Sequence, residues 1–144
     1  MKGEVLAVCR SKKKGTVKEP IPTGRLKVGY GLKGDAHGGD WHRQVSLLGV
    51  ESIDKMRGKG FDIEFGDFAE NITTSGIELF ELPVGTILKV GPEAVLEVTQ
   101  IGKKCHHDCE IFQKIGDCVM PREGIFAVVK KGGPVEAGDK IIVE

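Results

Sequence analysis

Neither sign of charge is in excess in this chain: 21 Lys and Arg balance 21 Asp and Glu over 144 residues. Without a surplus there is no global field to draw the protein to nucleic acid or to an anionic membrane, so neither is expected as a partner. Long apolar runs are missing too. The opening MKGEVLAVCRSKKK holds a strand-length VLAV but nothing long enough for a secretory signal. No later stretch approaches the roughly 20 apolar residues of a membrane span. The expected compartment is therefore the cytoplasm, where thiols stay reduced. Cys9, Cys105, Cys109 and Cys118 then read as packed, metal-binding or reactive rather than as disulfide partners. Repeats and low-complexity segments are also lacking. A chain of this length closes one hydrophobic core but not two, so one domain over residues 1–144 is expected.

Glycine is abundant. Its 21 copies punctuate short apolar runs, which predicts a mainly β chain of brief strands joined by turns. VLAVCR, LKVGYG, QVSLLG, TILKVG, AVLEVTQIG, IFAVVK and KIIVE each have strand length and β-branched enrichment. TILKV and AVLEVTQ flank Gly91-Pro92-Glu93 and read as a hairpin, while GGPVEAGD reads as a turn delivering the last strand. Two helices are expected. One runs from Val50 to Arg57, with Ile53 and Met56 at helical spacing and Gly58 and Gly60 as stop signals; the other starts near Asp108 and carries Ile111, Phe112 and Ile115. Many short strands with edges to hide favour a barrel. Lys12, Lys13 and Lys14 read as a solvated loop. Gly29, Gly31 and Gly34 satisfy the spacing of a dinucleotide-binding loop, but DAHGGDW follows where a helix should open, and that reading is declined.

The stretch IGKKCHHDCEIFQKIGDCVMP concentrates three of the four cysteines and two of the four histidines. Thiolate and imidazole together suit tetrahedral zinc, and Cys105, His106, Cys109 and Cys118 form one possible ligand set. The spacing is nevertheless tighter than the usual two-pair arrangement. A second reading is a reactive thiolate at Cys105, since Lys103, Lys104, His106 and His107 surround it and neighbouring cations lower a thiol's pKa. A third is simple packing. Cys9, inside an apolar strand, reads as packed.

Three blocks carry a resemblance. GLKGDAHGGDWHRQVSLL, GDFAENITTSGIELFELPVGTILKVGPEAVLEVTQIGKKC and REGIFAVVKKGGPVEAGDKI resemble in order the signature segments of the MOSC domain, the family named after the C-terminal region of molybdenum cofactor sulfurases. The resemblance implies a MOSC-type β-barrel with a few short helices, and a role in binding molybdenum cofactor (molybdopterin) or carrying its sulfur. It identifies Cys105 with the family's cysteine, which either gives a thiolate to molybdenum or holds a persulfide. Asp35, His37, Arg43, Glu70 and Asn71 fall on its other signature positions and count as cofactor-binding candidates. Lys104, where many relatives have proline, joins them. Large fused relatives carry a PLP-dependent domain for which this chain has no room. No PLP is therefore expected within it, and a PLP-dependent cysteine desulfurase or a molybdoenzyme is the implied partner. Any sulfurtransferase-like or molybdenum-dependent activity then depends on that partner. Reduction of N-hydroxylated compounds, known in some relatives, would need electrons from elsewhere.

Overall fold

The computed structural model describes residues 1–14, 16–102 and 123–144. Eleven strands are present among these: β1 (Lys2–Arg10), β2 (Glu19–Pro20), β3 (Thr23–Lys27), β4 (Gly31–Leu32), β5 (Val45–Gly49), β6 (Ile72–Ser75), β7 (Ile87–Val90), β8 (Ala94–Ile101), β9 (Ile125–Lys131), β10 (Gly133–Glu136) and β11 (Lys140–Val143). Helix α1 spans Val50–Arg57, and Leu79–Glu81 makes one 3-10 turn. Seven strands run in the ring order β11-β7-β8-β9-β5-β6-β1, and β1 pairs back to β11, so the barrel closes on itself. Closure removes the sheet edges that short strands would otherwise expose.

Residues with their side chains inside the ring form one apolar cluster, including Val5, Val8, Leu47, Ile72, Leu88, Leu96, Val98, Ala127 and Ile141. Val5 and Val8 are three positions apart yet both belong to it. A register shift between Val5 and Ala7, where β1 pairs with β6, inserts the extra residue that allows this. Burial of side chains of this size contributes roughly 1.5–3 kcal/mol each.

A second cluster lies outside the barrel under α1: Leu48, Ile53, Met56, Ile63, Phe68 and Phe126. Strand β5 is therefore buried on both faces, which is why the adjacent Leu47 and Leu48, on opposite faces, are both apolar. It pairs in parallel with β6, with Leu47 opposite Ile72, and α1 lies in the crossover that a parallel pair requires. The helix has the bounds expected of it, with Ile53 and Met56 buried. Of the two stop signals, Gly60 takes the left-handed conformation (φ 96°), while Gly58 stays helical.

Two readings of the sequence differ from the fold. LKVGYG is not one strand: β3 stops at Lys27, Gly29 turns the chain at φ 77°, and β4 folds back so that Leu26 faces Leu32. GGPVEAGD is not all turn, because Gly133–Glu136 forms β10 and pairs with β3. Val135 is fully buried in the barrel cluster, and that burial holds the segment extended. The small sheet β10-β3-β4 covers the barrel beside the turn that leads to Asp35. No helix follows Gly34. The helix expected from Asp108 lies outside the described residues. Among the described residues no helix is long and apolar enough to cross a membrane.

Candidate functional site

The loop after β4 is wound around Tyr30. The Tyr30 hydroxyl donates to the Asp35 carbonyl (2.8 Å), and the Tyr30 carbonyl accepts from the Gly39 amide (2.7 Å). A Cβ on Gly38 would stand 2.2 Å from the Tyr30 ring, so only glycine lets the chain pass so close. This winding turns Asp35 inward and brings His37 back over it.

Asp35 and Lys18 form an ion pair with both side chains fully buried. Lys18 Nζ donates to Asp35 Oδ1 at 2.7 Å and to Ser11 Oγ at 3.0 Å, and it lies 2.9 Å from His37 Nδ1. Asp35 also accepts from the Ser11 and His37 amides (3.0 and 3.2 Å). Burial works to raise the Asp35 carboxyl, but the Lys18 ammonium, the Ser11 amide and the Asn71 side chain outweigh it and hold the group below 3.8. The ammonium of Lys18 thus lies between Asp35 Oδ1 and His37 Nδ1 and bonds to both. Among the described residues no cluster of three or more His, Cys, Asp or Glu is placed to hold a metal ion.

From His37 the contacts continue to Arg43. The Trp41 indole N–H donates to the His37 carbonyl (2.7 Å). The Arg43 guanidinium lies 4.6 Å from the Trp41 ring centre and 5.5 Å from that of Phe126, sandwiched between them, and Lys14 approaches the same Trp41 ring at 5.6 Å. Arg43 Nε is buried and has no hydrogen-bond partner among the described residues. An unsatisfied buried donor costs about 1–3 kcal/mol, more when charged, so this atom calls for an acceptor.

The same loop is tied to the end of β8. His42 Nε2 donates to Gln100 Oε1 (2.8 Å), Gln100 Nε2 donates to the Gly102 carbonyl (2.7 Å), and Thr99 Oγ1 donates to the His42 carbonyl. The Gly102 amide in turn donates to the Gly124 carbonyl at 2.7 Å. The two points between which residues 103–122 run are therefore held together, beside Phe126 and the Arg43 arm.

Glu70 and Asn71 lie deeper, both with no exposed surface. Asn71 Oδ1 accepts from the Ser46 amide (2.9 Å) and hydroxyl (3.2 Å), and Nδ2 donates to the Cys9 carbonyl (3.1 Å), stitching β1 to β5. Ala69 before them is left-handed (φ 63°), a conformation costing about 1–2 kcal/mol for a residue with a Cβ. Glu70 accepts from the Phe68 amide (3.2 Å) and the Thr73 hydroxyl (2.9 Å). Burial pushes the Glu70 carboxyl up despite those donors. A carboxyl whose folded value exceeds its unfolded one favours folding in the protonated form. Glu70 therefore withdraws stability as pH rises from about 4.5 through that higher value. Glu70→Gln is expected to remove this dependence, so urea melts of variant and wild type should diverge, the variant gaining, as pH rises above 4.5. Parallel curves would contradict the assignment. Burial likewise raises the Cys9 thiol to about 12, with the Glu70 carboxylate adding to the effect, which matches its reading as a packed residue.

Of the residues singled out in the sequence, Asp35, His37 and Arg43 are thus joined along one face through Lys18 and Trp41, and Glu70 and Asn71 brace the barrel beneath. Lys104, Cys105, His106, His107, Cys109 and Cys118 lie outside the described residues. Sequence reasoning passed over Lys18, Trp41, Gln100 and Phe126. Lys18 is followed by the exposed Glu19 and Pro20 in VKEP, where a lone lysine gives no sign of burial.

The MOSC domain model matches residues 33–142. Among solved structures, the YuaD protein from Bacillus subtilis superposes with a TM-score of 0.82 at 21% identity, over 98% of this chain and 94% of that one. YiiM from Geobacillus stearothermophilus gives 0.74 at 18% identity, over 99% of this chain and 75% of that one. YiiM from Escherichia coli gives 0.70 at 18% identity, over 100% and 70%. At these identities the likeness is one of fold. No curated protein matches the chain.

Proposed function

The chain belongs to the MOSC domain family, and from that premise we propose that it binds molybdenum cofactor on the Arg43 face and offers it the thiolate of Cys105. The observation that carries this reading is Arg43, whose buried Nε lacks a partner among the described residues while its guanidinium packs against the rings of Trp41 and Phe126. A clamped, permanently charged fork with a donor to spare suits an anionic ligand rich in acceptor oxygens, such as a phosphorylated pterin. Cys105 stands three residues past Gly102, so covalent reach alone keeps its Cα within about 11 Å of that residue's. Lys104 adds a cation next to the sulfur in the chain, and a neighbouring cation favours the thiolate.

When bound, the cofactor would supply a high-valent metal with an affinity for soft thiolate sulfur. The protein's own part is to bind and orient. Arg43 takes an anionic edge, Trp41 and Phe126 fix the direction of that fork, and the Gln100 bridge holds the loop bearing Arg43 against the start of the segment bearing Cys105. Beside this fork stands His37, whose backbone and ring are held by Asp35, Trp41 and Lys18. Glu70 and Asn71 keep β1, β5 and the turn before β6 in place behind it.

Arg43→Met, which keeps the apolar packing and removes the donor, is expected to weaken binding of the isolated cofactor about 10- to 100-fold, the equivalent of one charge-assisted hydrogen bond. Arg43→Lys should recover only part, because an ammonium does not reproduce the planar fork. A fluorescence titration of the pterin reads both. Equal affinity for wild type and Arg43→Met would remove the basis of the proposal.

A further inference from the structure

We propose that Lys18 is a positioning residue of this face: its ammonium takes the Nδ1 lone pair of His37 and so sets the ring as the neutral Nε2–H tautomer, a hydrogen-bond donor and not a base. An ammonium has three N–H donors and accepts nothing. Lys18 Nζ has three acceptors within reach, Asp35 Oδ1 at 2.7 Å, Ser11 Oγ at 3.0 Å and His37 Nδ1 at 2.9 Å. Two of these could be met by a neutral amine, but the fully buried Asp35 carboxylate beside it keeps the proton on the lysine. Nδ1 must then be the acceptor, and the single proton of the neutral ring belongs on Nε2.

The ring cannot easily respond in any other way. Protonating Nδ1 would set two N–H groups against each other at 2.9 Å and place a second positive charge beside Lys18. Turning the ring over would put a carbon, Cδ2–H, where Nδ1 now faces Lys18 and leave one buried ammonium donor without its acceptor, while the backbone that carries the ring is fixed by the His37 amide on Asp35 Oδ2 and the Trp41 indole on the His37 carbonyl. The charged groups around it among the described residues act in the same direction. Lys18 touches it, Asp35 is paired with Lys18, and the cations Lys14 and Arg43 lie against the ring of Trp41, whose indole N–H holds the His37 carbonyl.

The consequence deepens the reading of the face given above and rests on it for the ligand. Lys18 spends its three donors on Asp35, Ser11 and His37, so the donors offered are His37 Nε2–H and the Arg43 guanidinium, and the class of group received there is an acceptor-rich one, an oxyanion or a carbonyl edge, in preference to a metal cation or a group that must lose a proton. The tautomer itself can be read without any ligand, so it stands or falls separately from cofactor binding.

Protein labelled with 15N-histidine, with the His37 signals assigned from their loss in His37→Gln, supplies the test by NMR. The expected spectrum has Nδ1 unprotonated and Nε2 protonated in His37, unchanged from pH 8 down to about 5.5, where an ordinary histidine with a pKa near 6.5 would be largely charged. Lys18→Arg, which also only donates, should retain that pattern. A proton on Nδ1, or titration near 6.5 in the wild-type protein, overturns the inference. A purely structural lysine would leave the tautomer free to be either, so the spectrum separates the two roles even where a lysine variant fails to fold.

Discussion

Lys18→Met will lower the free energy of unfolding by about 3–5 kcal/mol at neutral pH, the usual cost of removing one member of a buried ion pair. The magnitude follows from what is left behind. Asp35 has no exposed side-chain surface, and without Lys18 its carboxylate keeps only amide donors such as those of Ser11 and His37. Replacing both partners by apolar residues, Lys18→Met with Asp35→Leu, is expected to recover part of the loss, since no charge then remains buried. The response to acid has a definite sign. In the wild type the Asp35 carboxyl is held below its unfolded value of 3.8, so its contribution is complete above that pH. It disappears as acid carries the pH down through the lower folded value. In Lys18→Met the direction reverses, because an unpaired buried carboxyl is best tolerated protonated, and the gap between the two proteins should narrow as pH falls. Urea unfolding across the acid range measures both effects. A loss under about 1 kcal/mol would mean that the pair behaves like an exposed one.

Gly66→Ala will be nearly as damaging, with more than about 3 kcal/mol lost, for a different reason. Gly66 is left-handed at φ 93°, and a Cβ there would stand 2.1 Å from the Lys18 carbonyl oxygen and 3.2 Å from Cys9 Sγ. The Gly66 carbonyl also accepts from the Lys18 amide at 2.8 Å, so the clash falls on the backbone that delivers Lys18 to Asp35 and neither strand of chain can move aside freely. Gly60→Ala is the control. Its φ of 96° is similar, but nothing lies within 4 Å of the added carbon, so it should cost only the roughly 1 kcal/mol of the left-handed conformation. Equal losses in the two variants would show that backbone conformation alone, and not the approach to Lys18, decides the matter.

The barrel was legible because its strands obey local rules. The turn Gly91-Pro92-Glu93 between two β-branched runs announces its hairpin, and the α1 boundaries follow from Ile53, Met56 and the glycines after them. Strand β10 was not legible, since GGPVE has the residues of a turn. Only the burial of Val135 in the barrel, a tertiary fact, makes it extended. Strand β6 escaped notice for a similar reason, being four residues long and fixed by its parallel pairing with β5.

The face was half legible. Asp35, His37 and Arg43 could be picked out by resemblance to family signatures, but what joins them is long-range in the chain. Lys18 reaches Asp35 across 17 residues, and Gln100 reaches His42 across 58. A hydrogen bond of that separation leaves no periodicity or spacing to read. Nor does a sequence show that Arg43 Nε is buried without an acceptor, since this depends on Trp41 and Phe126 closing around it.

Counting molybdenum, pterin and zinc per chain in freshly isolated protein, made without chelator in cells that synthesise the cofactor, tests the role of Cys105 most directly. About one molybdenum and one pterin per wild-type chain, with molybdenum lost in Cys105→Ala, is the predicted result. Stoichiometric zinc without pterin, or molybdenum retained undiminished in Cys105→Ala, would contradict it.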